Sequence, residues 1–295
     1  MVHAMLHAAL AYSAHPPRLF LRTRALPELP PHDPAPALHV LWRDEHLIAV
    51  YKPAGWLVHR TGLDAHETRF VMQTLRDQIG QRVFPVHRLD KGTCGVLVMA
   101  LHADAARALG QAFENQQTHK RYLALVRGWL PGEIDVDHAL KPDDAPADAP
   151  VQSAQTRLRC LARLNWPEAY DPRHAGTRLS LVEALPLTGR RHQIRRHLKH
   201  VAHPIIGDAT HGKGPLNRWW AERLGQQRLW LHAQSLSLPH PVSGEMLHLR
   251  ADWAALAPQV ADVRDWQALM ALPGWVTQPP ADAARPAQAG PQMPR

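Results

Sequence analysis

A short apolar run behind a polar, glycine-containing turn restricts the possible fold more than any other feature of this chain. Residues 87–100 read HRLDKGTCGVLVMA, and the final GVLVMA is a continuous apolar stretch that predicts a buried strand. Residues 101–118 follow with apolar side chains at helical spacing, and Asp104 suits the first turn of that helix. With 295 residues, the chain is long enough to build a sizeable core around such a strand and helix.

Further β-rich runs recur along the chain, separated by polar turns. LHVLW and LIAVYK, which begin at residues 38 and 47, flank the polar turn RDEH in a hairpin pattern. Additional strands are predicted at residues 121–129, 177–187, 228–240 and 246–252. Several hairpins with interspersed helices predict an α+β fold with a mixed, mostly antiparallel central sheet flanked by helices.

Composition divides the chain into segments. Residues 1–37 are rich in proline, histidine and arginine, which predicts a variable, disordered extension. We expect one catalytic domain over residues 38–255, interrupted by the proline–acid stretch KPDDAPADAP (141–150) as a linker or surface loop. Residues 256–295 are expected to form a C-terminal segment that ends in a low-complexity tail.

The charge balance and the cysteine count limit the kinds of function that the protein can have. Lysine and arginine outnumber aspartate and glutamate by 34 to 26, a net charge of +8. This excess favours a polyanionic partner such as nucleic acid, although basic proteins of other kinds share it. The cysteines, Cys94 and Cys160, provide neither a disulfide framework nor a CxxC zinc motif. Because no run approaches the roughly 18 apolar residues of a membrane span and no leader pattern opens the chain, we expect a cytoplasmic protein without membrane association.

The first stretch carries an isolated carboxylate. Asp90 lies between Arg88 and Lys91, in a turn whose glycines permit a tight backbone path directly before the buried strand. Loops at the ends of rigid strands often carry functional residues. The alternative is that Asp90 only forms a surface ion pair with Arg88 or Lys91, and the pattern by itself favours this alternative.

Two further stretches combine basic and aromatic residues. THKRYLALVRGW (118–129) opens a strand with Lys120 and Arg121, which are residue types that contact phosphates. Tyr122 follows them, and its alternative role is that of a core tyrosine whose hydroxyl reaches a backbone partner. TGRRHQIRRHLKHVAHP (188–204) begins with a turn and continues as a helix that Pro204 is expected to end.

The helix predicted within residues 188–204 has an apolar and a basic face. The apolar set is Ile194, Leu198 and Val201, and the basic set is Arg191, Arg195 and Lys199. The basic set recurs every four residues, and such a stripe suits a phosphate backbone. A solvated basic face without a ligand is the alternative.

Several histidines crowd the same segment without predicting a metal site: His192, His197, His200 and His203. Their spacing lacks the arrangement of an HExxH motif, and no cysteine joins them. The chain also lacks a phosphate-cradling GxxxxGK[ST] loop and a GxSxG nucleophile elbow.

Taken in order, these stretches resemble the RluA-type pseudouridine synthases. HRLDKGTCGVLVMA resembles the family's HRLD-x-x-T-S-G motif, KRYLALVRGW its K-x-Y strand, and TGRRHQIRRHLKHVAHPIIGD its TGR-x-HQ-[IL]-R…HPI-x-GD segment. LIAVYKPAGWLVH is similar to the KP-x-G element, and RLWLHAQSLSLPHPVSGE to the LHA…HP-x-[ST]-G ending. The match runs from about residue 38 to about residue 252. Cys94 replaces the usual serine, which we expect to be a small packing adjustment.

The resemblance implies a reaction and its residues. The N1–C1′ bond of a uridine breaks, the uracil turns, and a bond forms through C5, with no cofactor and no metal. Asp90 is implied as catalytic, Tyr122 as the residue that packs on the uracil and is a candidate for removing the C5 proton, and Arg195 as the guanidinium that favours the ionised carboxylate. Arg88 matches the residue that fills the space of the flipped base. The other basic residues are expected to hold the RNA backbone: Lys120, Arg191 and Lys199.

Within the family, residues 55–90 and 212–220 resemble most closely the TruC branch, which modifies uridine 65 of transfer RNA. A ribosomal-RNA synthase of the same family is the alternative. A catalytically silent RNA-binding protein is a third hypothesis, against which the joint presence of Asp90, Tyr122 and Arg195 argues. We expect a monomer that binds RNA, with transfer RNA favoured. The sequence leaves open whether Asp90 attacks C1′ or assists proton loss from C2′.

Overall fold

The computed structural model describes residues 36–60, 67–142, 145–146 and 148–277, so most of the predicted 1–37 extension and the end of the predicted tail lie outside the described residues. In chain order the strands are β1 (Val40–Arg43), β2 (Leu47–Lys52), β3 (Phe84–Pro85), β4 (Cys94–Ala100), β5 (His119–Arg127), β6 (Glu133–Asp137), β7 (Gln155–Trp166), β8 (Thr177–Pro186), β9 (Leu231–Pro239), β10 (Met246–Arg250) and β11 (Val276–Thr277). The helices are α1 (Val71–Ile79), α2 (Ala103–Glu114), α3 (Gln193–His200), α4 (Gly214–Leu224), α5 (Trp253–Leu256) and α6 (Ala261–Met270). The chain divides into two compact units, residues 1–115 with 238–272 (unit 1) and residues 116–237 with 273–295 (unit 2).

In unit 1, two completely buried strands form the centre of an antiparallel sheet. β2 lies between β1 and β4, and its register with β4 runs from Leu47 opposite Ala100 to Lys52 opposite Gly95. Every residue of β2 and β4 is buried, which explains why neither strand alternates apolar and polar residues. The hairpin predicted near residue 38 and the buried strand GVLVMA are therefore confirmed.

The helices of unit 1 are only partly those that the sequence predicts. Helix α2 follows β4 as expected with Asp104 in its first turn, but the cap is His102, whose ring accepts a hydrogen bond from the Ala105 N–H (3.3 Å). Helix α6 carries the fully buried Trp266, which stacks on Trp253 with ring centroids 5.5 Å apart. Through this packing, the segment from residue 257 to the end of α6 contributes to the core of unit 1.

Unit 2 is built on longer antiparallel strands. β5 pairs with β9 on one side and β8 on the other, β8 pairs with β7, and β7 also pairs with β6 and β11. Tyr122 lies opposite Ala184 of β8, and a register shift in the β5–β9 pairing falls between Arg121 and Tyr122. The α+β class with mostly antiparallel strands is confirmed. Among the described residues, no helix has the length and apolar character needed to cross a membrane.

Candidate active site

Asp90 lies in a tight turn that leads directly into β4. The turn is closed by the Thr93 N–H, which donates to the Asp90 carbonyl (3.0 Å). The side chain of Asp90 is half-buried, Leu89 beside it is buried, and Arg88 is exposed. Gly95, the second residue of β4, has φ +117°, a backbone conformation that favours glycine where the turn enters the strand. The predicted tight turn before a buried strand is thus present.

A buried lysine stabilises this turn through hydrogen bonds to backbone carbonyls. Lys52 is fully buried, and its ammonium donates to the carbonyls of Pro53 (3.0 Å), Lys91 (3.1 Å) and Thr93 (2.7 Å). The Gly55 N–H also donates to the Lys91 carbonyl (2.8 Å). Lys52 was not among the predicted site residues, although it is the lysine of the KPAG element. A lysine at the end of an otherwise apolar strand is the signal that could have found it.

Two further side chains of this region have structural contacts. The ammonium of Lys91 forms an ion pair with Glu67, so Lys91 has a carboxylate partner other than Asp90. Cys94 is fully buried in β4, as expected of a position that serves packing.

In unit 2, the start of β5 carries the predicted basic and aromatic residues. Lys120 is half-buried and donates to the Thr188 carbonyl (3.2 Å), and burial lowers the pKa of its ammonium below the ordinary value. Arg121 forms an ion pair with the buried Glu183, so this arginine belongs to the sheet rather than to a ligand site. Tyr122 is half-buried beside the register shift, where the strand locally departs from regular pairing.

The turn before α3 is organised by Gln193. Its side-chain oxygen accepts hydrogen bonds from the Thr188 hydroxyl (2.7 Å) and the Arg190 N–H (2.9 Å). Its amide donates to the Gln155 carbonyl and the Thr156 hydroxyl, both at 2.9 Å. Gln193 is buried and joins the TGRR turn to β7, so it serves the architecture of the segment. The sequence alone had made Gln193 an argument for a ligand-binding face rather than for this structural role.

The structure corrects the predicted basic stripe. Arg191 and Lys199 are exposed, but Arg195 is buried and donates through Nε to Asp208 Oδ2 (2.7 Å) and through Nη2 to Asp208 Oδ1 (2.8 Å). Arg191 also precedes the helix, because His192 adopts a left-handed conformation with φ +55°. The helix ends at His200, before Pro204, since Ala202 has φ +64°. The stripe is therefore two exposed cations flanking one buried ion pair.

Asp208 was missed by the sequence prediction. Burial alone would raise the pKa of its carboxyl, but the hydrogen bonds from Arg195 and from the N–H groups of His211 and Thr210 outweigh burial and lower it. The carboxylate is thus ionised and accepts from four donors. The final aspartate of the HPIIGD sequence is the signal that could have identified it.

The crowded histidines have separate partners. His197 Nδ1 lies 2.9 Å from the Thr156 hydroxyl and its Nε2 lies 3.0 Å from the His138 carbonyl. His203 Nδ1 lies 2.8 Å from the Arg127 carbonyl, and His192 lies 3.1 Å from His211. Within the described parts of the chain, no group of histidine, cysteine, aspartate or glutamate could hold a metal ion.

Comparison with known proteins gives the class of this molecule. The RNA pseudouridylate synthase family matches residues 46–200. tRNA pseudouridine synthase C of Yersinia pestis is 47% identical over 245 residues, which cover 81% of this chain and 91% of that protein. tRNA pseudouridine synthase C of Vibrio cholerae is 46% identical over 245 residues, which cover 81% of this chain and 96% of that protein.

Solved structures share the fold. Human RNA Pseudouridylate Synthase Domain Containing 1 superposes with a TM-score of 0.59 at 24% identity, over 82% of this chain and 99% of that one. Human RNA Pseudouridylate Synthase Domain Containing 4 gives a TM-score of 0.55 at 25% identity, over 72% and 88%. The chain belongs to the RNA pseudouridylate synthase family. It is an isomerase that converts uridine in RNA into pseudouridine.

Proposed function

We propose that this enzyme modifies transfer RNA, and that its target is uridine 65. The supporting observation is the identity of 47% and 46% to two enzymes named tRNA pseudouridine synthase C, over 91% and 96% of their lengths. Position 65 follows from the resemblance of residues 55–90 and 212–220 to the TruC branch. The net charge of +8 suits a polyanionic substrate.

Asp90 is proposed as the catalytic carboxylate. The turn that carries it is fixed by the Thr93 N–H and by the buried ammonium of Lys52, so the carboxylate extends from an immobile backbone. Isomerisation involves no net redox change and no donated group, so side chains of the protein are sufficient for the chemistry. The carboxylate acts either as a nucleophile at C1′ or as the group that assists loss of the C2′ proton.

Tyr122 and Arg195 are proposed as the other catalytic residues. A half-buried tyrosine at an irregular strand position offers an aromatic face for the uracil and a hydroxyl for the C5 proton. Arg195 is proposed to stabilise negative charge during the reaction. Its orientation is fixed by the two hydrogen bonds to Asp208, so it enters the reaction without reorganisation.

Arg88 is proposed as the residue that occupies the space of the flipped base. It is exposed and lies two residues before Asp90 on the same loop. A guanidinium plane can stack between bases and also pair with phosphate. An Arg88→Ala variant should slow turnover of a uridine within a stem more than turnover of the same uridine in an unstructured RNA. Equal slowing on both substrates would contradict this role.

The remaining cations are proposed to hold the RNA backbone. Arg191 is exposed two residues before α3, and Lys199 is exposed in the last turn of that helix. Lys120 binds the Thr188 carbonyl and thereby also supports the TGRR turn. Removing Arg191 or Lys199 should weaken RNA binding most at low salt and reduce its salt dependence.

The target is tested by mapping pseudouridine in total RNA from cells with and without the gene. Loss of a single signal at position 65 of transfer RNA is the expected result. Loss of a large-subunit ribosomal signal instead would support the ribosomal-RNA alternative and contradict the proposed target. Purified enzyme should form the same pseudouridine in vitro on an unmodified transfer-RNA transcript.

The oligomeric state, the cellular location and the bounds of the catalytic domain are also proposals. The enzyme is expected to act as a monomer in the cytoplasm, with residues 38–255 as its catalytic domain. Light scattering of the purified protein alone and with transfer RNA tests the monomer: a mass of twice the 33.1 kDa chain would contradict it.

A further inference from the structure

Unit 2 contains a cavity of about 320 Å³ whose charged residues are mostly cationic. Its charged residues are Arg127, Asp171, Arg173, Arg178 and Lys213, and Tyr170 adds an aromatic wall. Four cations face one carboxylate there, so the cavity carries a net positive charge. Such a concave cationic surface attracts anions.

The positive charge of the cavity is mostly unneutralised. Asp171 already forms an ion pair with Arg173, with Nε–Oδ1 and Nη2–Oδ2 distances of 2.9 and 2.5 Å. Arg127, Arg178 and Lys213 form no ion pair with any residue that the structure describes. By contrast, the exposed Arg107 of α2 pairs with Asp104.

The walls of the cavity are fixed by the surrounding backbone. The Thr177 hydroxyl accepts from the Tyr170 N–H and donates to the Glu168 carbonyl, both at 2.8 Å, which closes the loop between β7 and β8. A side chain at Gly176 would place its Cβ 2.5 Å from the Trp166 carbonyl oxygen, so the loop requires glycine there. A site held in this way loses little entropy when it binds an anion.

One cation is also oriented by an aromatic ring. The guanidinium carbon of Arg178 lies 4.3 Å from the centroid of Trp129, and the Gly128 N–H donates to the Arg178 carbonyl (2.8 Å). Stacking leaves the edge of a guanidinium available for bidentate pairing with an anion. Trp129 remains 39% exposed, so the stacked pair is open to solvent.

The cavity lies at the other end of β5 from Tyr122. Arg127 lines the cavity and follows Tyr122 by five residues, which spans about 17 Å in a strand. The pairing with β8 agrees, since Tyr122 lies opposite Ala184 and Arg127 opposite Leu179.

We propose that this cavity binds phosphodiester groups of the substrate RNA, about 17 Å from the uridine that reacts. The inference rests on the proposed function, because it takes Tyr122 as the position of the target base. RNA is the occupant that fits, since its phosphates are spaced regularly along a strand long enough to reach both places. Lys213 also gives a role to the segment 212–220, which none of the proposed catalytic residues uses.

The test uses a fluorescently labelled, unmodified transfer-RNA transcript titrated at several salt concentrations. Combined Arg178→Ala and Lys213→Ala substitution should raise Kd about tenfold and reduce the salt slope by roughly 1.5, at about 0.7–0.9 per phosphate contact. Turnover at saturating RNA should be unchanged. Asp171→Asn should lower Kd, because it removes the only carboxylate of the lining while Oδ1 can still accept from the Arg173 N–H. Arg107→Ala, an exposed arginine of α2, is the matched control.

Two results would overturn the inference. One is an unchanged Kd and salt slope in the double variant. The other is a change of Kd in the same direction for Asp171→Asn and for the double variant, since opposite charge changes must have opposite effects on phosphate binding. RNA substrates shortened from each end in turn add a geometric check: one shortened form must become insensitive to the double variant.

Failure of the proposed function has a different outcome. Wild-type enzyme would then form no pseudouridine at position 65, while binding of the transcript would still depend on Arg178 and Lys213. Conversely, normal product formation with no dependence of binding on these residues would contradict the cavity alone.

Discussion

Arg195 and Asp208 form a buried ion pair joined by two hydrogen bonds, of 2.7 and 2.8 Å. The side chain of Arg195 is 9% exposed and that of Asp208 is fully buried. Asp208 is in turn held by the N–H groups of Thr210 and His211, so the guanidinium is oriented by the backbone that follows α3. Breaking such a pair leaves an uncompensated buried charge, which is why either partner is sensitive to substitution.

Asp208→Asn should therefore reduce turnover while RNA affinity is retained. We expect kcat to fall about 100-fold, the cost of a misplaced catalytic group, and stability to fall by about 3 kcal/mol. Single-turnover kinetics and RNA titration separate the two effects. Asp208→Glu, which keeps the charge, should recover part of kcat. A folded Asp208→Asn enzyme with wild-type kcat would contradict the positioning role.

Lys52→Met should loosen the turn that carries Asp90. Three backbone carbonyls lose their charged donor, and we expect the free energy of unfolding to fall by about 2–4 kcal/mol. Denaturant unfolding measures the loss, and hydrogen exchange at the Thr93 amide should accelerate because the turn opens more often. Lys199→Met, at an exposed position, serves as the control for stability alone. Unchanged exchange at Thr93 would contradict the anchoring role of Lys52.

Stability should fall on mild acidification because of His197. Burial lowers the pKa of His197, so between about 6.5 and this lowered value the unfolded chain binds a proton that the folded chain does not. The contribution of His197 is therefore complete above pH 6.5 and is lost as the pH falls through that window. The Nε2–H of the neutral ring donates to the His138 carbonyl, and Nδ1 accepts from the Thr156 hydroxyl.

Denaturant unfolding from pH 7.5 to 5 would measure this contribution. His197→Gln should flatten the fall in stability, whereas His119→Gln, at an exposed position, should leave it unchanged. The account of His197 is wrong if the two variants and the wild type show the same pH dependence.

Cys94→Ser introduces the serine of the family motif that this stretch resembles, and we expect it to cost little. Cys94 is fully buried in β4, and serine replaces its sulfur with a smaller, more polar oxygen. We expect the free energy of unfolding to change by less than about 2 kcal/mol, the range for burying one hydroxyl, with kcat unchanged. Loss of turnover in a stable Cys94→Ser enzyme would show that the thiol itself takes part in the reaction.

Sequence patterns predicted those strands that are recognisable from the residues of the strand itself. β2 and β4 are continuous apolar runs, and their burial on both faces follows directly from that. Helix α1 was missed because only Val71 and Leu75 are buried in it. β7 was missed although Thr156, Leu158 and Cys160 alternate inward, since its outward arginines resemble a charged loop.

Residues of the candidate site could be predicted only where they belong to a recognisable sequence motif. Asp90, Tyr122 and Arg195 stand in recognisable sequence contexts, whereas Lys52 acts through carbonyls that lie up to 41 residues away. The ion pair of Arg195 with Asp208 likewise depends on how the chain returns after α3. Periodicity placed Arg195 on a basic stripe suited to a phosphate backbone, because spacing on a helix does not reveal which face meets an acid.

The most direct test of the account is the turnover of an unmodified transfer-RNA transcript by Asp90→Asn enzyme. Asparagine keeps the size of the side chain and removes its charge, so folding and RNA binding should be retained. We expect no pseudouridine above background, with wild-type Kd for the transcript. Pseudouridine formation at the wild-type rate would contradict the catalytic role of Asp90.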